Sequence, residues 1–342
     1  MKSITYSAIR TFLNCRKLFE FRYIRKLKPI DEPIYFGIGS AFHKAIELWY
    51  DKHDADLSRG AIRSYFEAKA PDMEAENYFE REQEIKAALD DTMRIFSRYL
   101  NHYREEDKGL EFVEIEKDLS INASKMGLWA GIEIRLRVDA IVKKSGLLYL
   151  MEHKTTKGIN ALYKKKLTVD LQSMFYILCL RSLGFPVQGV IYNVTSSTLP
   201  MKPEVLKSGK ISTAKNRKPD LREYIAEIER NGLDVNDYSE YLDWLKDNQG
   251  EYFYREIIIY HEKQFEYLLN DLNSVIFDIA KAWTEGENPE SHYLYRNTSN
   301  CIGFGTCPFF DICQSIYPET VIENMFLDKE SLHEEFDDTP GA

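Results

Sequence analysis

Two carboxylates and a lysine stand close together in the middle of the sequence: Asp139, then Glu152-His153-Lys154 across a short gap. Two carboxylates brought to one point make a hard oxygen site of the kind Mg²⁺ or Mn²⁺ takes. A lysine beside them can hold a water or offset negative charge on a phosphoryl oxygen. An isolated Glu-x-Lys also occurs on exposed hairpins, so the motif alone leaves a surface reading open. His43 precedes it, and Gln172 and Tyr176 follow it. A second group is Cys301, Cys307 and Cys313, spaced C-x5-C-x5-C. Three thiols so close suggest soft-metal ligation, and a four-thiolate centre needs one more. Cys15, between Asn14 and Arg16, suits that role better than Cys179, which lies in the apolar run Phe175-Tyr-Ile-Leu-Cys-Leu180 and reads as a core cysteine. Zinc and an iron–sulfur cluster both accept four thiolates, and free cysteines are the third reading.

The elements that must position these groups follow from periodicity. Ile132, Ile134, Leu136 and Val138 alternate with Glu133, Arg135, Arg137 and Asp139, which predicts a strand with Asp139 on its polar face. Ser145-Gly146 marks a hairpin turn. The strand after it, Leu147 to Thr155, puts Glu152 and Lys154 on one face. Pairing the two strands would let Asp139 and Glu152 converge. Phe42, Ala45, Ile46 and Trp49 recur at helical spacing, predicting a helix over 40–57 with His43 in its first turns. Gln172 and Tyr176, four apart, share one face of a helix predicted over 169–183 and stopped by Gly184. Further helices are expected over 5–14, 76–104, 221–230, 238–246 and 261–283, and strands over 187–194 and 252–260. The layout is mixed α/β.

The ordered set His43, Asp139, Glu152-x-Lys154, Gln172-x-x-x-Tyr176 resembles the RecB-like branch of the PD-(D/E)XK nuclease superfamily. That branch includes CRISPR-associated RecB-like nucleases, the AddB nuclease domain and phage-encoded exonucleases. The resemblance runs from about Ile4 to Cys313. It implies a restriction-endonuclease-like α/β core, a mixed sheet flanked by helices. It implies His43, Asp139 and Glu152 as ligands of Mg²⁺ or Mn²⁺, with the His153 backbone carbonyl completing the shell. Lys154 would be the catalytic lysine, and Gln172 and Tyr176 would position water or the DNA strand. Val138 stands where the superfamily's name has proline, as in many members of this branch. Some members join their termini through a [4Fe–4S] cluster, with one N-terminal cysteine and three near the C-terminus. Cys15, Cys301, Cys307 and Cys313 would be its ligands. Arg16 stands where those members usually have proline, and Cys301 and Cys307 are further apart than in some, so zinc remains the alternative. The implied activity is an exonuclease hydrolysing phosphodiester bonds from a free DNA end, single-stranded or duplex. The alternative is a DNA-end-binding scaffold, or a nuclease subunit, in a recombination, repair or CRISPR adaptation complex. No G-x-x-x-x-G-K-[ST] occurs, so any helicase would be a partner protein.

Composition agrees with a folded enzyme. Of 342 residues, 44% are hydrophobic and 29% charged, which excludes wholesale disorder. The net charge of -10 argues against attraction of DNA over the whole surface. Local basic patches must do that work. Residues 1–30 carry eight basic side chains against Glu20, with Arg22, Arg25 and Lys26 the favoured DNA contacts. A second patch runs over 202–218 and a third is Lys164-Lys165-Lys166. Residues 1–318 read as one nuclease domain, with 198–250 as an insertion, 1–30 plus 297–318 as a cluster subdomain, and 319–342 as an acidic tail. Five cysteines, an opening Met1-Lys2-Ser3-Ile4-Thr5-Tyr6 without an apolar core, and no apolar run near ~18 residues point to a cytoplasmic, non-membrane protein.

Overall fold

The computed structural model describes residues 3–30, 35–69, 78–128, 131–285, 293–302 and 305–329. From the N-terminus, β1 (Ser3–Ile4) leads into α1 (Tyr6–Asn14), α2 (Arg16–Phe19) and β2 (Leu27–Pro29). Three helices follow, α3 (Tyr35–Lys52), α4 (Ala55–Glu67) and α5 (Tyr78–Tyr103), and then the hairpin strands β3 (Glu111–Asn122), β4 (Glu133–Lys144) and β5 (Leu147–Thr156). A crossover of α6 (Ala161–Leu167) and α7 (Leu171–Ser182) brings the chain to β6 (Val190–Ser196). After α8 (Leu221–Arg230) and α9 (Ser239–Asn248) come β7 (Phe253–Ile258), α10 (Glu262–Glu285), α11 (Phe310–Gln314), α12 (Pro318–Met325) and β8 (Phe326–Asp328).

The main sheet runs β1-β4-β5-β6-β7, with β3 also on β4. It is mixed: β5 and β6 are parallel, as are β1 and β4, and the other pairs are antiparallel. β3 occupies one edge of β4 along its whole length. On the other edge β5 pairs only as far as Ala140↔Met151, and β1 pairs only at Glu133 and Ile134. Residues 135–139 therefore lie where β5 splays away, and Asp139 and Glu152 are the next residues past the last paired rung. Two apolar layers cover the sheet. Ile134, Leu136, Val138 and Leu150 pack with α1, α7 and α10 through Phe12, Phe175 and Ile276. Ala140, Val142, Met151 and Ile191 belong to a separate cluster, and Phe112, which packs on it, also packs on the core of α3, α4 and α5. The phase of alternation along β4 thus changes between Val138 and Ala140, at Asp139. Opposite that point Glu116 has φ 44°, a left-handed conformation costly for a residue with a Cβ.

Several elements differ from expectation. The predicted helix over 40–57 is two helices: His53 turns at φ 53°, and Asp54 caps α4 by accepting from Asp56 N and Leu57 N, both at 2.9 Å. The helix predicted over 169–183 is preceded by a separate α6, and Asp170 is the N-cap of α7. Residues 76–77 of the predicted 76–104 helix lie outside the described residues. So do the acidic side chains after Lys329, while 319–328, assigned to the acidic tail, lie in α12 and β8. β8 pairs with β2, and Phe326 stacks on Phe309. In the 198–250 segment α8 and α9 have a core of their own around Tyr224, Ile228 and Leu245, and Arg98 of α5 donates to Asp220 at 2.8 Å.

Gly189, just before β6, faces the backbone of the neighbouring strand, where any Cβ would collide with the Ile258 carbonyl oxygen. No rotamer change relieves a backbone collision. Gly189→Ala is expected to cost about 1–3 kcal/mol in urea denaturation. Gly60→Ala, in mid-α4 with open space around it, should instead gain about 0.5–1 kcal/mol. Equal midpoints for the two variants would contradict the β6–β7 register.

Candidate active site

β4, β5, α3 and α7 each deliver one part of the site. The β4–β5 splay point brings Asp139 beside Glu152, as the hairpin reading expects. Asp139 Oδ2 accepts the His153 backbone N–H at 2.6 Å, which ties the carboxylate to the adjoining strand. His43, from α3, places Nδ1 4.0 Å from the same oxygen. Lys154 Nζ donates to Glu152 Oε1 at 2.7 Å and to Gln172 Oε1 at 2.9 Å. Gln172 Nε2 donates to Glu152 Oε1 at 3.0 Å, so Glu152, Lys154 and Gln172 close a triangle. Tyr176, one turn further along α7, lies beside Gln172 and borders a cleft of about 660 Å³ with His43 and Asp139.

The electrostatics are those of a buried carboxylate pair beside a lysine. Burial raises Asp139 to about 6 against the His153 N–H, which holds it down. Burial raises Glu152 to about 7; Lys154 lowers it and Asp139 raises it further. Burial lowers His43 to about 4, leaving a neutral imidazole able to act as a ligand. Glu152 is 2% exposed, and its Oε2 is buried with no hydrogen-bond partner. A buried carboxylate oxygen left unpaired is costly. A divalent cation held by Glu152, Asp139 and His43 would satisfy it, so the donor set fits Mg²⁺ or Mn²⁺. Among the described residues no three His, Cys, Asp or Glu side chains are already drawn together tightly enough to hold a metal ion.

With this geometry in place, comparison with known families is decisive for the fold. The family model of the PD-(D/E)XK nuclease superfamily matches residues 3–314. The chain belongs to that superfamily. A comparison with curated proteins returns no match. PD-(D/E)XK proteins are typically metal-dependent nucleases, and the mixed sheet between helical layers is that fold.

The His153 side chain points away from the PD-(D/E)XK cleft. Its Nδ1 is 3.0 Å from Asn193 Nδ2, and Asn193 also bonds Tyr99 OH. Beneath it, Tyr50 OH donates to Asp107, which Arg255 pairs at 2.7 Å. Sequence reasoning missed this buried network, because Asn193 and Arg255 sit in strands with no motif around them. It also missed Lys44, Glu116, Arg135 and Arg137, which line the cleft. The two arginines had a signal: Arg135-x-Arg137-x-Asp139 shares the strand's two-residue period. Glu116 had none. Burial raises it to about 8, with Asp139 adding to the shift.

The four candidate cluster cysteines lie near enough to feel one another's charge, but among the described residues they form no ready-made metal site. Cys15 Sγ accepts from Asn297 N at 3.4 Å, and both Asn297 and Asn300 donate to Asn14 O. Cys307 N–H donates to Cys301 O at 2.9 Å. Burial raises the Cys307 and Cys313 thiols, and both also feel Cys15 and Cys301. Cys179 is fully buried against Met126 Sδ at 3.7 Å and stands apart, as its apolar surroundings suggest. Of the favoured DNA contacts, Arg25 is paired with Glu319 at 3.0 Å, Arg22 is half-buried near Cys307, and Lys26 is exposed. No helix among the described residues is long and apolar enough to cross a membrane.

Proposed function

We propose that this protein is a divalent-metal-dependent DNA exonuclease of the RecB-like type, with Cys15, Cys301, Cys307 and Cys313 as ligands of a structural [4Fe–4S] cluster. The observation that carries the nuclease reading is the unpartnered, buried Oε2 of Glu152 beside Asp139, within a PD-(D/E)XK chain. Glu152, Asp139 and His43 are the residues that would hold the ion. Bound there, Mg²⁺ or Mn²⁺ supplies Lewis acidity at the scissile phosphate and eases ionisation of the attacking water. Lys154 brings a positive charge to the same edge of the cleft. Gln172 holds Lys154 and Glu152 in register through both its amide atoms. Tyr176, at the cleft wall, would position water or the DNA strand. For the cluster, the support is that Asn14, beside Cys15, is clamped by Asn297 and Asn300, and that Cys307 and Cys313 feel the charges of Cys15 and Cys301.

The exonuclease reading is tested with duplexes labelled at the 5′ or 3′ end and with covalently closed circles. Linear DNA should be shortened from one end in the presence of Mn²⁺ while circles survive. Linearised circles would instead mark an endonuclease.

DNA affinity should rest on local basic groups, because the chain as a whole is acidic. Replacing Arg22, Arg25 and Lys26 with Ala is expected to weaken binding and to reduce the salt slope by about one per lost phosphate contact. The same change at Lys215, Arg217 and Lys218 should do less, since the N-terminal patch is held beside Cys15 whereas this one lies in the 198–250 segment, which packs around its own core. Equal losses at both patches would move the DNA path elsewhere, with Arg135 and Arg137 in the cleft next to be tested.

A further inference from the structure

We propose that Asp170 is the second counter-ion of Lys154, receiving the lysine when Glu152 takes up a divalent cation. The inference rests on the metal-dependent reading given above. Lys154 Nζ lies 2.7 Å from Glu152 Oε1 and 4.0 Å from Asp170 Oδ2, with the Gln172 amide oxygen at 2.9 Å between them in reach. While the lysine sits on Oε1 of Glu152 it offsets the charge that Oε2 would offer a cation, and two like charges at one carboxylate repel. A half-buried lysine paired with a carboxylate leaves it for water only at a cost. It can leave for another carboxylate.

Asp170 is built to wait for it. As the N-cap of α7, its Oδ1 accepts the Gln172 backbone N–H at 3.2 Å. Its Oδ2 accepts from Tyr192 OH at 3.0 Å and from Ser173 Oγ at 3.3 Å. Tyr192 is in turn bonded to Tyr260 OH at 2.9 Å, in the core. These bonds fix the carboxylate in place while leaving Oδ2 facing Lys154. The lysine's stem is long enough to pivot between two fixed acceptors, and Gln172, bonded to the lysine and capped by Asp170, sits at the pivot. Asp170 is therefore a positioning residue: it acts on Lys154 and does not itself touch the ion.

The test is Mn²⁺ binding by calorimetry on the full chain without DNA. Asp170→Asn keeps a good helix cap and removes the charge, together with the acceptor that Tyr192 OH and Ser173 Oγ use. It should weaken Mn²⁺ binding by about tenfold, the size of a typical coupling between sites. Asp170→Ser, a different uncharged cap, should give the same loss. In a Lys154→Met background there is no lysine to displace, so Asp170→Asn should then change Mn²⁺ affinity by less than twofold. Such rescue is what a double-mutant cycle reads and what a merely structural cap would not show. Wild-type affinity in Asp170→Asn, or a loss that persists undiminished beside Lys154→Met, overturns the proposal while leaving the metal site intact. A wild-type chain that binds no Mn²⁺ overturns both.

Discussion

Glu152→Gln is expected to reduce Mn²⁺-dependent DNA cleavage by on the order of a hundred- to a thousand-fold without unfolding the protein. The replacement is isosteric and keeps a hydrogen-bonding side chain opposite Lys154 and Gln172, but it removes the charge that Oε2 offers to a cation. Stability should move the other way. Burial lifts the Glu152 carboxyl from 4.5 to about 7, so the folded state holds its proton more tightly than the unfolded chain does. Its contribution to stability is then full below about 4.5 and is lost as pH rises through about 7. In metal-free protein at pH 8, Glu152→Gln should therefore melt no lower than wild type, and Mn²⁺ should raise the midpoint of wild type only. Near wild-type cleavage by this variant would remove Glu152 from the site. A collapse of the fold would make it a structural residue.

Cys15→Ser is the second large effect. If Cys15 joins Cys301, Cys307 and Cys313 around a cluster, the metal ties α1 and α2 to the segment carrying Tyr295 and Asn297, and its binding energy is also folding energy. Protein purified without oxygen should be brown, and Cys15→Ser should lose both colour and iron. Its thermal midpoint should fall by roughly 5–10 °C. Cys179→Ala should keep the iron, because that thiol is fully buried against Met126 in the core. Colourless wild-type protein with stoichiometric zinc would put zinc in place of iron–sulfur. Iron lost from Cys179→Ala, and kept in Cys15→Ser, would overturn the choice of fourth ligand.

Much of the site was legible because strands and helices have fixed periods. The β4–β5 hairpin needed only the alternation of Ile134 to Val138 and the Ser145-Gly146 turn, and that pairing alone brings Asp139 to Glu152. Gln172 and Tyr176 followed from the helical repeat of α7. What periodicity cannot carry is a break in period. Alternation predicted Asp139 on a plain polar face, whereas the strand changes phase there, opposite the left-handed Glu116. The division of α3 from α4 depends on His53, whose preference for the left-handed region is far weaker than glycine's, and on an Asp54 cap that looks like ordinary surface charge. The buried set of Tyr50, Tyr99, Asn193 and Arg255 was invisible for another reason. Its members come from α3, α5, β6 and β7, far apart in the chain, and their residue types are unremarkable until the sheet brings them under His153.

Metal-dependent nuclease activity is tested most directly by cleavage of labelled linear DNA by the purified chain, measured side by side with Mn²⁺ and with EDTA. That activity predicts progressive loss of full-length DNA with Mn²⁺, none with EDTA, and recovery when Mn²⁺ is added back in excess. DNA left intact with Mn²⁺ across single-stranded and duplex substrates, or degraded equally in EDTA, would contradict it.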